Sequence, residues 1–137
     1  MAPDPSAVRS LAISAEDLLA ALEADARDGP TTVLRVTPPY SGRMRARLHV
    51  VQPGEDDETL HLPPAELVTD AVPSYPTPDE TADELRERED ETYTVDRHRT
   101  YHERRVETWR EAVLDHIVDA VTLPSTDHEV TVSLLGP

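Results

Sequence analysis

The chain has 137 residues, thirteen of them arginine, none lysine and 28 acidic, for a formal net charge of -15. Carboxylates at this density repel one another in dilute buffer but keep a protein hydrated where ions are abundant, so the composition points to a salt-rich cytoplasm. The absence of cysteine excludes disulfides, thiolate nucleophiles and cysteine zinc knuckles, and no segment approaches the roughly eighteen apolar residues of a membrane span.

Lysine, asparagine and phenylalanine are also absent, which fits a genome of high G+C content. An ordinary acidic or partly disordered interaction protein is the alternative source of the acid excess. The start, Met-Ala-Pro-Asp-Pro-Ser, has no basic region followed by an apolar run, so a cytoplasmic location is expected. Residues 1–6 read as a disordered start and 7–137 as a single α+β domain, with 70–78 as a proline-rich internal connection.

Along the chain, Ala7 to Ile13 reads as a short strand, and Ser14 followed by Ala-Glu-Asp opens a helix with a side-chain cap and early acids. Leu18, Leu19, Leu22 and Ala26 recur at helical spacing until Gly29-Pro30 ends the element, with Gly29 as the left-handed cap. Thr31 to Thr37 and Arg43 to Gln52 form a predicted β-hairpin across Pro38-Pro39-Tyr40-Ser41-Gly42. Pro53 to Asp57 makes a polar turn, Thr59 to Leu62 a third strand, and Pro63-Pro64 a short helical turn through Val68. The sheet is expected to be antiparallel.

Thr77-Pro78-Asp79-Glu80 has the form of a capping box and predicts a helix to about Asp90. A second helical segment, from about Asp96 to Val121, places Val106, Trp109, Val113, Ile117 and Val121 on one face, and Pro124 ends it. The two pieces are either a hairpin of helices or one bent helix. Val130, Val132 and Leu134 then alternate with Thr131 and Ser133 in a final strand over Glu129 to Leu135. The expected fold is α+β: a small antiparallel sheet with a β-hairpin, packed against an N-terminal helix and a long C-terminal helical segment.

The most distinctive chemistry is in the hairpin. A strand from Arg43 sends Arg43, Arg45, Arg47 and His49 to one face and Met44, Ala46 and Leu48 to the other. Arg35 joins the array if the strands pair in register, and Tyr40 at the tip is a stacking candidate. Guanidinium groups hold carboxylates and phosphates in a fixed fork, which makes this an anion- or partner-binding surface. The simpler account pairs these arginines inside the chain with Asp79, Glu80, Asp83, Glu84 and Glu87. Nucleic acid is the least favoured target, because attraction through phosphate neutralisation fades steeply with salt.

His98 and His102 stand four apart, the interval at which two helical histidines share a metal, but no glutamate lies between them and no third ligand is specified. A structural role on the face with Val106 and Val113 is the simpler reading, and neither a metal nor another cofactor is expected. Asp115-His116 and Asp127-His128 are neighbours whose side chains point apart, so neither is a dyad. Walker, dinucleotide-binding and nucleophile-elbow motifs are absent from the sequence.

Through Thr37-Pro38-Pro39-Tyr40-Ser41-Gly42-Arg43-Met44-Arg45-Ala46-Arg47-Leu48-His49 and Tyr75-Pro76-Thr77-Pro78-Asp79, the chain resembles a small, single-domain haloarchaeal protein family of uncharacterised function. The resemblance spans most of the chain and implies a halophilic archaeal cytoplasm, and it carries over no activity, ligand or catalytic residue. The expected role is non-enzymatic interaction with a protein partner, or with a small anion, through the arginine face. A small metal-dependent or anion-processing enzyme is the alternative.

Overall fold

The structure, a computed structural model, describes residues 4–55, 58–88, 90 and 92–135. The expectations for residues 1–3, for Asp56 and Asp57 in the polar turn and for Glu89 near the end of the first acidic helix lie outside the described residues. The fold is α+β, and the chain divides into two compact units, residues 1–70 with 117–137 and residues 71–116.

The first unit holds two sheets and a helix. A 3-10 turn over Pro5–Ala7, capped by Asp4, leads into β1 (Ser10–Ile13) and then α1 (Ala15–Ala26). The Ser14 hydroxyl accepts from the Asp17 N–H as the sequence expects, with Glu16 and Asp17 near the positive end of the helix dipole. The left-handed residue after the helix is Asp28, not Gly29. Gly29 suits its place for another reason: a Cβ there would stand 3.2 Å from the Ala24 carbonyl oxygen, a tight contact, and its own N–H donates to that oxygen.

The strands β2 (Thr32–Val36), β4 (Arg47–Val50) and β5 (Leu60–Leu62) form an antiparallel sheet in the order β4-β2-β5, so the hairpin forms between β2 and β4. Leu34 is buried on the side that α1 covers, where the Thr32 hydroxyl donates to the Ala21 carbonyl and Asp17 accepts the Leu48 N–H. The expected second strand of the hairpin is divided. Its first part, β3 (Arg43–Arg45), runs parallel to β1 in a second, mixed sheet of order β3-β1-β7-β6. Ala46 is the join: it is buried without exposed surface and donates its N–H to the Ala12 carbonyl. A side chain of that size lets one strand leave the first sheet and enter the other.

In the mixed sheet β7 (Glu129–Leu134) lies parallel to β1 and antiparallel to β6 (Ala120–Thr122). The predicted long helix therefore stops short. Ile117 bridges to Val68 and Val121 is a buried strand residue, because the run Ile-Val-Asp-Ala-Val-Thr is rich in β-branched side chains and finds β7 as a partner.

The second unit is a helical hairpin. α2 (Pro78–Arg86) starts where Thr77 accepts the Glu80 N–H, and α3 (Val95–Leu114) starts with Thr94 accepting the Arg97 N–H. The two helices are separate and packed together, which decides between the bent helix and the hairpin. Val106, Trp109 and Val113 are buried along one stripe of α3, and Ala82 and Leu85 are buried on α2. No helix among the described residues is long and apolar enough to cross a membrane.

Candidate functional site

Cross-strand register brings part of the predicted array together. Arg35 of β2 stands directly opposite Arg47 of β4 on one side and His61 of β5 on the other, and His49 stands opposite Val33. Paired residues share a face, so Arg35, Arg47, His49 and His61 lie on the side of the sheet away from Leu34. β4 and β5 are two strand spacings apart, about 9.5 Å, yet the His49 and His61 ring centroids are 5.4 Å apart. The two imidazoles lean toward each other across β2, and Val33 on that same face is only 7% exposed.

Two arginines directly opposite one another repel, and Glu55 supplies the counter-charge. Its Oε1 lies 2.6 Å from His49 Nε2 and 3.9 Å from Arg35 Nη1, while its Oε2 accepts the Gln52 N–H at 2.9 Å. The Glu55 N–H in turn donates to the Gln52 carbonyl, so the turn after β4 aims this carboxylate back at the sheet. Thr59 Oγ1 is 3.0 Å from His61 Nε2. Tyr40 comes to the same connection from the hairpin tip, its hydroxyl donating to the Glu58 carbonyl at 2.9 Å.

Arg43 and Arg45 stand in the mixed sheet, opposite Ser10 and Ala12 of β1. Arg43 and Arg9 flank a shallow groove of about 500 Å³ that includes Gly42. Arg9, Arg43, Arg45 and Arg47 are all exposed, and among the described residues their side chains form no ion pair or hydrogen bond. Glu55 and His61 were not among the sequence candidates. The alternation Leu60-His61-Leu62 does send His61 away from the core, but nothing local says which strand it will face.

The helical hairpin places His98 and His102 around Thr81. The Thr81 hydroxyl is buried, 2.8 Å from His98 Nε2 and 2.9 Å from His102 Nδ1, and within reach of the Thr77 and Pro78 carbonyls. A hydroxyl has one proton to donate and two lone pairs, and the two imidazoles and two carbonyls around it supply partners for all three. The histidine spacing thus serves to satisfy a buried threonine. A groove of about 520 Å³ on this unit passes Arg88, Arg97, Tyr101 and Arg104 together with Asp90 and Asp96, and the opposite charges there leave no single-sign ligand surface.

Glu84 is the second anchored carboxylate. Arg105 donates to both of its oxygens, at 2.8 and 3.3 Å, and the Tyr101 hydroxyl donates at 2.7 Å. The Arg105 hydrogen bond, then that of Tyr101, hold the Glu84 carboxyl below the usual carboxylate range. Burial, then the Glu84 bond, push the Tyr101 hydroxyl up. A depressed carboxylate contributes stability above its unfolded pKa and loses it as pH falls through the folded one. Because the Arg105 and Glu84 side chains are 34% and 38% exposed, the pair is expected to contribute less than about 1 kcal/mol. The stability gap between wild type and Glu84→Gln should be largest at neutral pH and close on acidification; a gap unchanged across the titration would contradict this.

The sequence matches, over residues 1–136, the model of a family described as a domain of unknown function (DUF8009). No curated protein and no solved structure matches the chain.

Proposed function

We propose that this chain, which belongs to the DUF8009 family, is a non-enzymatic interaction module of a salt-rich cytoplasm that recognises carboxylate-bearing partners through the arginine strip of its first unit. The observation that carries this reading is the state of Arg43, Arg45 and Arg47. In a chain of formal net charge -15, three exposed guanidinium groups, two on β3 and one at the start of β4, have, among the described residues, no ion pair and no side-chain hydrogen bond. Internal pairing is the competing account, and it describes Arg35, whose guanidinium lies 3.9 Å from Glu55.

Guanidinium forks make directional, bidentate bonds to carboxylates, and these depend less on long-range attraction than diffuse basic charge does. That favours arginine without lysine where screening is strong. Phosphate neutralisation loses about three to five orders of magnitude between 50 and 200 mM salt for six to ten contacts, so a nucleic acid is a poor target for three or four guanidinium groups under such conditions. The exposed Arg9 extends the strip beside Arg43.

Charge reversal at Arg45 and Arg47 separates recognition from structure. Complexes captured in molar KCl should lose the acidic partner in Arg45→Glu/Arg47→Glu while the melting temperature stays that of the wild type. A lower melting temperature with an intact partner profile would assign these arginines a purely structural role.

A further inference from the structure

We propose that His49, Glu55 and His61 form a binding site for a borderline divalent cation of the zinc class. The three side chains come from β4, from the turn that follows it and from β5, and one ligand atom of each lies within 4.8 Å of the other two. Among the described residues this is the one group of three ligand-type side chains that converges in this way. The proposal goes beyond the partner-binding reading and does not depend on it, because Arg43, Arg45 and Arg47 are not in the ligand set.

His49 Nε2 and Glu55 Oε1 stand 2.6 Å apart, in hydrogen-bond contact, and Arg35 Nη1 lies 3.9 Å from the same oxygen. A tetrahedral zinc ion with bonds of about 2.0–2.1 Å separates its ligand atoms by about 3.3 Å. The His49–Glu55 contact is shorter than that value, and all three ligand atoms lie within 4.8 Å of one another. Binding an ion would open the His49–Glu55 contact, and would exchange the Thr59 contact to His61 Nε2 or use the other ring nitrogen.

Preorganisation supports the assignment. The second Glu55 oxygen is held by the Gln52 N–H, an orienting bond of the kind that fixes metal carboxylates, and the connection is tied down where Tyr40 donates to the Glu58 carbonyl. The His49 and Glu55 side chains are 17% and 14% exposed, so the site is sheltered but reachable. Two imidazoles and one carboxylate select zinc, cobalt or nickel over magnesium or calcium, which prefer oxygen alone. Three protein ligands leave a fourth position for water or an exogenous anion.

Cobalt(II) is the probe. Untagged full-length protein in molar potassium nitrate, chosen because chloride itself coordinates these ions, is titrated with cobalt(II) and followed by visible absorption. The expected result is saturation at one equivalent, displacement by zinc, and weakening by more than about a hundredfold in His49→Ala, His61→Ala and Glu55→Gln, since even orienting groups around a metal are worth about 10–100-fold. His98→Ala and His102→Ala should bind as the wild type does. Glu55→Gln keeps an acceptor for the Gln52 N–H, so a Glu55→Gln chain that is folded by circular dichroism and still binds at wild-type affinity would overturn the proposal. So would a wild-type titration without a saturating endpoint at one equivalent.

Discussion

Replacing Trp109 with alanine is expected to cost roughly 3–5 kcal/mol of stability, the largest effect of any single substitution proposed for this chain. Three observations set the size. The indole is 5% exposed, it shares the buried stripe of α3 with Val106 and Val113, and Tyr75 packs edge-on at 4.8 Å between ring centroids. Such an aromatic pair adds about 0.5–1.5 kcal/mol beyond the area it buries. The Nε1–H also donates to the Pro73 carbonyl at 3.0 Å, so the ring ties the proline-rich connection to α3. Alanine would leave a cavity and an unpartnered carbonyl together. As the chain has one tryptophan, native fluorescence reports on this site alone. Blue-shifted, poorly quenched emission with a large loss in Trp109→Ala is the expected outcome; a red-shifted, readily quenched indole would contradict it.

The second large effect concerns salt. The chain carries 28 acidic residues, and ion pairs to arginine among the described residues include Arg35–Glu55, Arg86–Asp83, Arg99–Asp96, Arg105–Glu84 and Arg110–Glu107. Three of these are i,i+3 pairs on exposed helix surface, which contribute little. The remaining carboxylates interact over a Debye length of about 3 Å at 1 M ionic strength but about 30 Å at 0.01 M. Removing salt therefore turns a short-range repulsion into one that spans the molecule. Circular dichroism melts along a KCl series should show the melting temperature falling by roughly 10 °C or more from molar to millimolar salt, equivalent to a few kcal/mol for a chain of this size. A melting temperature independent of KCl would contradict the salt-adapted reading of the composition.

Local signals carried much of the fold. Ser14, Thr77 and Thr94 cap the three helices through their hydroxyls, and the first two were legible as a polar acceptor followed by acids. The alternation of Val130 and Val132 with polar neighbours identified the last strand, and the spacing of Val106, Trp109 and Val113 identified the buried face of α3. The misreadings share one cause, which is that periodicity says how a segment is buried and not against what. Arg43 to Val50 alternates with period two whether it lies in one sheet or passes between two, so the division at Ala46 could not be read. Val121 continues a helical stripe on paper, but β7 offers it a ladder. The parallel pairing of β1 with β3 and β7 is a purely tertiary outcome.

The same limit applied to the candidate site. Arg35, Arg47 and His49 were recognisable because strand alternation is local. Placing Arg35 opposite both Arg47 and His61 required the strand order β4-β2-β5. Glu55 was hidden within a turn that reads as generic polar sequence, and only its reciprocal bonds with Gln52 show where the carboxylate points. The His98 and His102 interval was visible at once. Its purpose was not, because Thr81, the group those imidazoles satisfy, lies on the other helix.

The account rests most heavily on the unpaired arginine strip, and the most direct test is a titration of a fluorescently labelled glutamate-rich peptide onto the full-length protein in molar KCl, followed by anisotropy. Saturable binding by the wild type that is lost in the folded Arg45→Glu/Arg47→Glu chain, with a duplex DNA showing no binding under the same conditions, is the predicted result. Absence of saturable peptide binding, or binding that survives the charge reversal undiminished, would contradict the assignment of this face to carboxylate recognition.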